Sequence, residues 1–183
     1  MTDAAGTRIV PVEPRDVERL AKLARTIWLA HYRGIISDAQ IEYMLDQRYQ
    51  EPLIRAELAR PDIEWVQLIV GQSTAGFASW HRKTEAMEMK LDKLYMHPAH
   101  QRRGYGGLLI ERALRAAHDA GVKRLSLMVN RHNANAIAAY RKHGFRLDGA
   151  AVTDIGGGYF MDDYRMVRDT ESDLRRATAA PES

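Results

Sequence analysis

Residues 101 to 107 read Gln101-Arg102-Arg103-Gly104-Tyr105-Gly106-Gly107, and an apolar stripe at helical spacing follows, with Leu109, Ala113, Ala116, Ala117 and Ala120 on one face. Few local structures suit three glycines at the mouth of a helix. The first backbone N–H groups there have no partners inside the helix, and the aligned peptide dipoles put partial positive charge on them. Glycines remove the side chains that would keep an anion away, so such a turn is a phosphate cradle. Arg102 and Arg103 add full charges beside it. Gly121 stops the helix, and Leu125, Leu127 and Val129 then alternate with Ser126, Met128 and Asn130 as a strand. A second helix runs from Asn133 or Ala134 to His143. It carries Asn133 and Tyr140, seven residues apart and so on about one face. Together the two blocks imply a pyrophosphate carrier held at one end and a proton donor waiting at the other.

Other glycine loops fit worse. A dinucleotide fingerprint needs a third glycine where this chain has Leu109, and a Walker-type loop needs Gly-Lys-Ser/Thr, which is absent.

Upstream, Thr7 to Val12 reads as a first strand. Pro14 opens a helix with Val17, Leu20, Ala24, Ile27, Trp28 and His31 at helical spacing, stopped by Gly34. Ser37-Asp38-Ala39-Gln40 has the form of a capping box for a second helix with Ile41, Met44 and Leu45 inward. A third, short helix begins at Pro52 and ends before Pro61. His31 and Tyr32 could line a substrate mouth, with half-buried packing the preferred reading. Trp65 to Val70 and Ala75 to His81 form a hairpin about Gly71-Gln72-Ser73. The next strand says more. Met89 and Leu91 are apolar on one phase, Leu94 and Met96 on the other. Side chains alternate strictly along a strand, so the slip requires an extra residue near Asp92-Lys93, a β-bulge. Arg146 to Thr153 and Tyr159 to Val167 form a closing hairpin around Gly156-Gly157-Gly158. The expected organisation is one domain over 7–169, with 1–6 and 170–183 as flexible or frayed termini.

The 183 residues suit one domain with a sizeable core, and 45% hydrophobic with 28% charged residues is an ordinary globular balance. No long uncharged apolar run is present, and Met1 to Gly6 lacks the basic and apolar regions of a secretory signal, so a cytoplasmic protein without a membrane partner is expected. With no cysteine there is no disulfide framework, thiolate metal site or cysteine nucleophile, and no metal is expected. A net charge of +3 argues little for nucleic acid.

The run Leu91-Asp92-Lys93-Leu94-Tyr95-Met96-His97-Pro98 through Gly104-Tyr105-Gly106-Gly107-Leu108-Leu109 resembles the acetyl-CoA-binding motif of the GCN5-related N-acetyltransferases, Gln/Arg-x-x-Gly-x-Gly/Ala. The run Asn133-Ala134-Asn135-Ala136-Ile137-Ala138-Ala139-Tyr140, closing in Gly144-Phe145, is similar to the family's second signature. The resemblance implies an α/β (α+β) fold: a single domain with a mixed, mostly antiparallel central sheet flanked by helices. Its bulged fourth strand is splayed from the fifth, so that pantetheine enters between them. It implies acetyl-CoA as cosubstrate, with Gln101, Arg102, Arg103, Gly104, Tyr105, Gly106 and Gly107 at the pyrophosphate. The backbone of Leu94 and Met96 would bind the pantetheine, and Asn133 and Ala136 would also touch the cofactor. Asn133 is independently a natural N-cap. Tyr140 is implied as the acid for the leaving thiolate, and a homodimer is implied because family members often form one.

Acyl transfer also needs a neutral amine, and a primary amine of pKa about 10.4 is mostly protonated at neutral pH. Glu88 and Asp92, on the bulged strand, are the preferred catalytic bases; His81, Asp162 and Asp163 are further candidates. No motif side chain is a nucleophile, so direct attack in a ternary complex is expected. The acceptor is a small amine or polyamine, or a protein amino group, with a tRNA-charged amino acid as a third class. The alternative function is a non-catalytic CoA-binding sensor or assembly module.

Overall fold

The computed structural model describes residues 6–83 and 87–170. Strand β1 (Thr7–Pro11) leads through a 3-10 turn (Pro14–Asp16) into α1 (Val17–His31), α2 (Asp38–Arg48) and α3 (Glu51–Leu58). The hairpin β2 (Ile63–Val70) and β3 (Ser73–Lys83) is followed by β4 (Glu88–Met96), α4 (Tyr105–Asp119), β5 (Arg124–Asn130) and α5 (Ala134–Lys142). A second hairpin, β6 (Arg146–Gly156) and β7 (Tyr159–Asp169), closes the fold. The strands form one seven-stranded sheet in the order β1-β2-β3-β4-β5-β7-β6. Every pair is antiparallel except β4–β5. This is the mixed, mostly antiparallel α/β sheet the sequence implied. The frayed ends expected at 1–6 and 170–183 lie outside the described residues apart from Gly6 and Thr170. Thr170 is held: its N–H donates to the Lys123 carbonyl at 3.0 Å and its hydroxyl to the Val122 carbonyl at 2.6 Å. No described helix is long and apolar enough to cross a membrane.

Each face of the sheet has its own core. One is built on Leu109, Ile110, Ala113, Leu114 and Ala117 of α4 against Trp80, Met89, Leu91, Leu125, Leu127 and Met166. The other joins Val17, Leu20, Ala24, Ile27 and Trp28 of α1 to Ile41, Met44 and Leu45 of α2, Ile54 of α3, and Trp65 and Phe77. Fully burying such side chains stabilises by about 1.5–3 kcal/mol each, which fixes the helices to their faces far more firmly than local propensity does. Helix α2 begins as the capping-box pattern suggested on one side only. Ser37 Oγ accepts from the Gln40 N–H at 3.1 Å. The Gln40 amide, however, donates to the Phe160 carbonyl at 2.8 Å, tying α2 to β7 in place of the reciprocal cap.

The bulge in β4 is present where the alternation slips. Ser79 of β3 pairs with Lys93 and Trp80 with Leu91, leaving Asp92 as the extra residue. That one residue keeps Leu94 and Met96 in the same core as Met89 and Leu91. Strand β4 then parts from β5: their parallel pairing covers only Glu88 to Lys90 against Arg124 to Ser126. From Leu91 onward the β5-facing edge of β4 is open.

Candidate active site

Where β4 and β5 part, a cavity of about 440 Å³ passes into the sheet. Its walls come from Leu94 and Met96 of β4, the Gln101–Gly107 turn, Met128 and Val129 of β5, Asn133 to His143 around α5, and His31 and Tyr32 of α1. Val129 belongs to the α4 core, and Met128, its neighbour along the strand, faces the other way. The cavity is therefore reached from both faces of the sheet.

On the α4 side lies the glycine turn. Gly104 is the N-cap of α4 at φ +82°, and Arg102 is also left-handed at φ +57°. A Cβ on Gly107 would sit 2.6 Å from Cε1 of His143, so a side chain there would require that ring to move. Gly104, Gly106, Gly107 and Arg102 all line the cavity. The first turn of α4 thus borders the cavity with Arg102 beside it, which suits a pyrophosphate, although the Gly107 N–H already donates to the Gly104 carbonyl at 3.0 Å. Gln101 also lines it, but its side-chain amide donates to the Met96 carbonyl at 3.1 Å and holds the turn against the end of β4. Arg103 and Tyr105 are not on the wall. Tyr105 instead packs against the α4 core.

On α5, Asn133 makes two contacts that explain its place. Its Oδ1 accepts from the Ala136 N–H at 3.2 Å, capping the helix, which leaves Nδ2 to donate to His31 Nε2 at 2.7 Å. A donor there requires an unprotonated Nε2, and burial lowers the His31 pKa accordingly. Ala136 and Tyr140 follow along the same wall. Tyr140 also stacks edge-on against Phe145 with centroids 5.6 Å apart. Burial, and then the nearby Tyr32, push its phenol well above the ordinary value, which keeps it neutral and able to donate.

The α1–α2 side is built from side chains. Trp28, Tyr32, Tyr49, Tyr95 and Phe77 form an aromatic cluster, with the Tyr32 and Tyr95 hydroxyls 3.4 Å apart. Tyr32 is both buried packing and cavity wall. Asp92 lines the cavity here, surrounded by cations: Arg48 at 2.5 Å, Lys93 at 2.8 Å and Lys90 at 2.9 Å. Burial pushes its carboxyl up, but these charges outweigh burial and hold it well below the usual carboxylate range. Glu88 lies at the paired end of β4 and is not on the cavity wall. Its oxygens accept from Ser126 and Lys83 on one side and from Arg165 on the other. Burial raises its pKa, and those donors pull it down to about 2. A carboxylate so held and so placed does not suit the base expected of Glu88, and its role as seen here is to bridge β3, β5 and β7. Sequence spacing could not show this, because Ser126 and Arg165 are distant in the chain. Arg48, which holds Asp92, lies outside both quoted runs, and the place of Tyr95 and His143 on the cavity wall emerges only from the fold. No group of three or more histidines and carboxylates suited to a metal occurs among the described residues.

The family described as the acetyltransferase (GNAT) family matches residues 22–145. The chain belongs to that family and is an N-acetyltransferase. It is 27% identical over 144 residues to the spermidine N(1)-acetyltransferase of Thermoplasma acidophilum, covering 76% of this chain and 88% of that one. Among solved structures, the PaiA N-acetyltransferase of T. acidophilum in complex with coenzyme A superposes with a TM-score of 0.74 at 24% identity, over 89% of this chain and 98% of that one. The ribosomal-protein-S18-alanine N-acetyltransferase of Escherichia coli does so with a TM-score of 0.68 at 20% identity, over 90% and 94%. At those identities the two structures bear on the fold alone.

Proposed function

We propose that the chain transfers the acetyl group of acetyl-CoA to a primary amine of a small polycationic acceptor, by direct attack in a ternary complex. The observation that carries this reading is the cavity through the sheet. It has a phosphate cradle at one mouth, Tyr140 on its wall and a face of phenols and carboxylates at the other. Acetyl-CoA would lay its pyrophosphate on the first turn of α4 with Arg102 beside it, and its pantetheine along the open edge of β4 at Leu94 and Met96. Asn133, Ala136 and His143 would flank it from α5. The acceptor would approach from the α1–α2 side, so that neither substrate blocks the other.

Tyr140 then serves the departing sulfur. A thiol of pKa about 8.5 is more acidic than a phenol of about 10, so full proton transfer to the thiolate is uphill and donation of a hydrogen bond is the larger service. The resemblance to a spermidine acetyltransferase over three quarters of the chain favours a polyamine over a protein terminus. A titration with acetyl-CoA followed by thiol release against spermidine, spermine and an alanine-terminated peptide tests this. Binding with release on the polyamines is expected. Release on the peptide alone would move the acceptor to protein. Binding without release would leave a CoA-binding module, and no binding would remove the cradle assignment.

A further inference from the structure

We propose that Asp163 of β7 is the general base that takes the proton from the acceptor amine, an inference that rests on the acyl-transfer reading above. Asp163 pairs with Asn130, the last residue of β5, at the end where β5 has left β4. Its neighbours Tyr164 and Met166 pack into the α4 core, and Arg165 reaches across to Glu88 on the opposite face. Alternation therefore puts Asp163 on the α1–α2 face, the acceptor side. Charge facing it comes from Arg48 of α2 and Lys90 of β4, with Asp162 on its own strand and the Tyr32 phenol of α1 close by. Opposite it β5 and β6 present Asn130 and Ala151, which are uncharged. Tyr32 is itself cavity wall, as is Met128 two residues before Asn130.

What separates Asp163 from the other carboxylates of this face is that they are already engaged. Asp92 is held by Arg48, Lys90 and Lys93, and Glu88 by Ser126, Lys83 and Arg165. Glu57 accepts from Lys93 and the Trp65 indole, and Asp148 pairs with Arg146 and Arg165; Asp162 falls on the α4 side by the same alternation, beside Arg131. Asp163 Oδ1 is shielded from solvent and accepts no hydrogen bond among the described residues. Asp163 is not itself on the cavity wall but lies beside Tyr32, which is, and an acceptor buried there without a donor is costly unless a partner arrives with the substrate. An ammonium is such a partner. Burial and then Asp162 raise the Asp163 pKa to about 6 against the pull of Lys90 and Arg48, so it is ionised at neutral pH yet more basic than Glu88 or Asp92.

The step balances without any further reagent. The acceptor arrives as R–NH3⁺, and one proton passes to the Asp163 carboxylate, leaving R–NH2. The nitrogen lone pair forms the C–N bond to the thioester carbonyl carbon, and the C–S bond breaks with its electrons on sulfur. The nitrogen's surplus proton ends on that sulfur as the thiol, with Tyr140 hydrogen-bonded to it. Asp163 returns its proton to solvent.

The test uses the full chain with acetyl-CoA and spermidine, comparing wild type, Asp163→Asn and Asp163→Glu from pH 5 to 9. Wild-type kcat/KM should show an acid limb with an inflection near pH 6. Asp163→Asn should lose about 100- to 1,000-fold in kcat and lose that limb, with acetyl-CoA affinity unchanged. Asp163→Glu should recover part of the rate. Because the folded-state pKa is raised, stability from this group is present below its unfolded value and lost as pH rises through about 6. At pH 8 the ionised side chain therefore works against folding, and Asp163→Asn should melt no lower than wild type. A structural role predicts the reverse. Wild-type kcat with an intact acid limb in Asp163→Asn would overturn the assignment, as would a rise in spermidine KM alone. If wild type itself releases no thiol with any amine, the acyl-transfer reading fails, a result seen before any variant is made.

Discussion

The two mouths of the cavity are made of different material. At the α4 mouth the cavity is bordered by main chain, and the sequence contributes chiefly by leaving side chains out at Gly104, Gly106 and Gly107. At the α1–α2 mouth the bordering groups are side chains: a carboxylate under three cations and packed phenols, with Asp163 close to Tyr32. A backbone site is fixed once its helix forms and tolerates no added bulk. A side-chain site is held by mutual charge, so it can be retuned residue by residue at a cost in stability.

The sharpest way to break this contrast is Gly106→Glu. It places bulk and a negative charge where phosphate would sit, and should weaken acetyl-CoA binding about 1,000-fold or more, about 4 kcal/mol, with the melting temperature little changed. Calorimetric titration reads this directly, and undiminished binding would mean the backbone does not carry the anion. Asp92→Ala attacks the other mouth. Arg48 and Lys90 would then lose their carboxylate beside Lys93, which keeps only Glu57, and the loss should be about 3 kcal/mol of folding stability in denaturant titration, with cofactor affinity retained. Tyr140→Phe probes the wall between them and should lower kcat about a hundredfold while leaving acetyl-CoA affinity alone; an unchanged kcat would remove the donor role.

The smallest effect expected is at Glu88. Its folded pKa is lowered to about 2, so its contribution is present above the unfolded value and is lost as pH falls through about 4.5 towards 2. Glu88→Gln should cost about 1.5 kcal/mol at pH 7, with the gap to wild type closing as the pH approaches 2 in melting curves.

The same contrast decides what could be read from the sequence. The glycine turn and its helix were legible because glycine spacing, helix periodicity and the Gly104 turn are local. Asn133 was legible as a cap for the same reason. The bulge was legible because alternation is strict, so a phase slip has few other causes. The α1–α2 mouth was not: Asp92 and Asp163 could be named as acidic candidates but not placed. Arg48, Asp92, Tyr32, Tyr95 and Asp163 come from α2, β4, α1 and β7, and only the strand order β4-β5-β7 and the packing of α1 on that face bring them together. Glu88 and Asp92 share a strand and are both acidic, so the sequence treats them as equals. Their environments differ: one bridges paired strands away from the cavity, the other lines it. Gln40 teaches the same lesson on a smaller scale, since a long-range carbonyl at Phe160 outcompetes the local cap.

Position 92 can also be viewed as a matter of counting. Along β4 the inward residues are 89 and 91, then 94 and 96, so the tally passes from odd to even across one added residue. With an even count the sheet would be a continuous wall, and its two sides could not share a reaction. The odd residue turns the wall into one with a window, and the side chain at that residue is itself the anion on which three cations converge. Parity and charge are thus carried by a single codon, and a one-residue deletion there would shut the opening and strip its frame together.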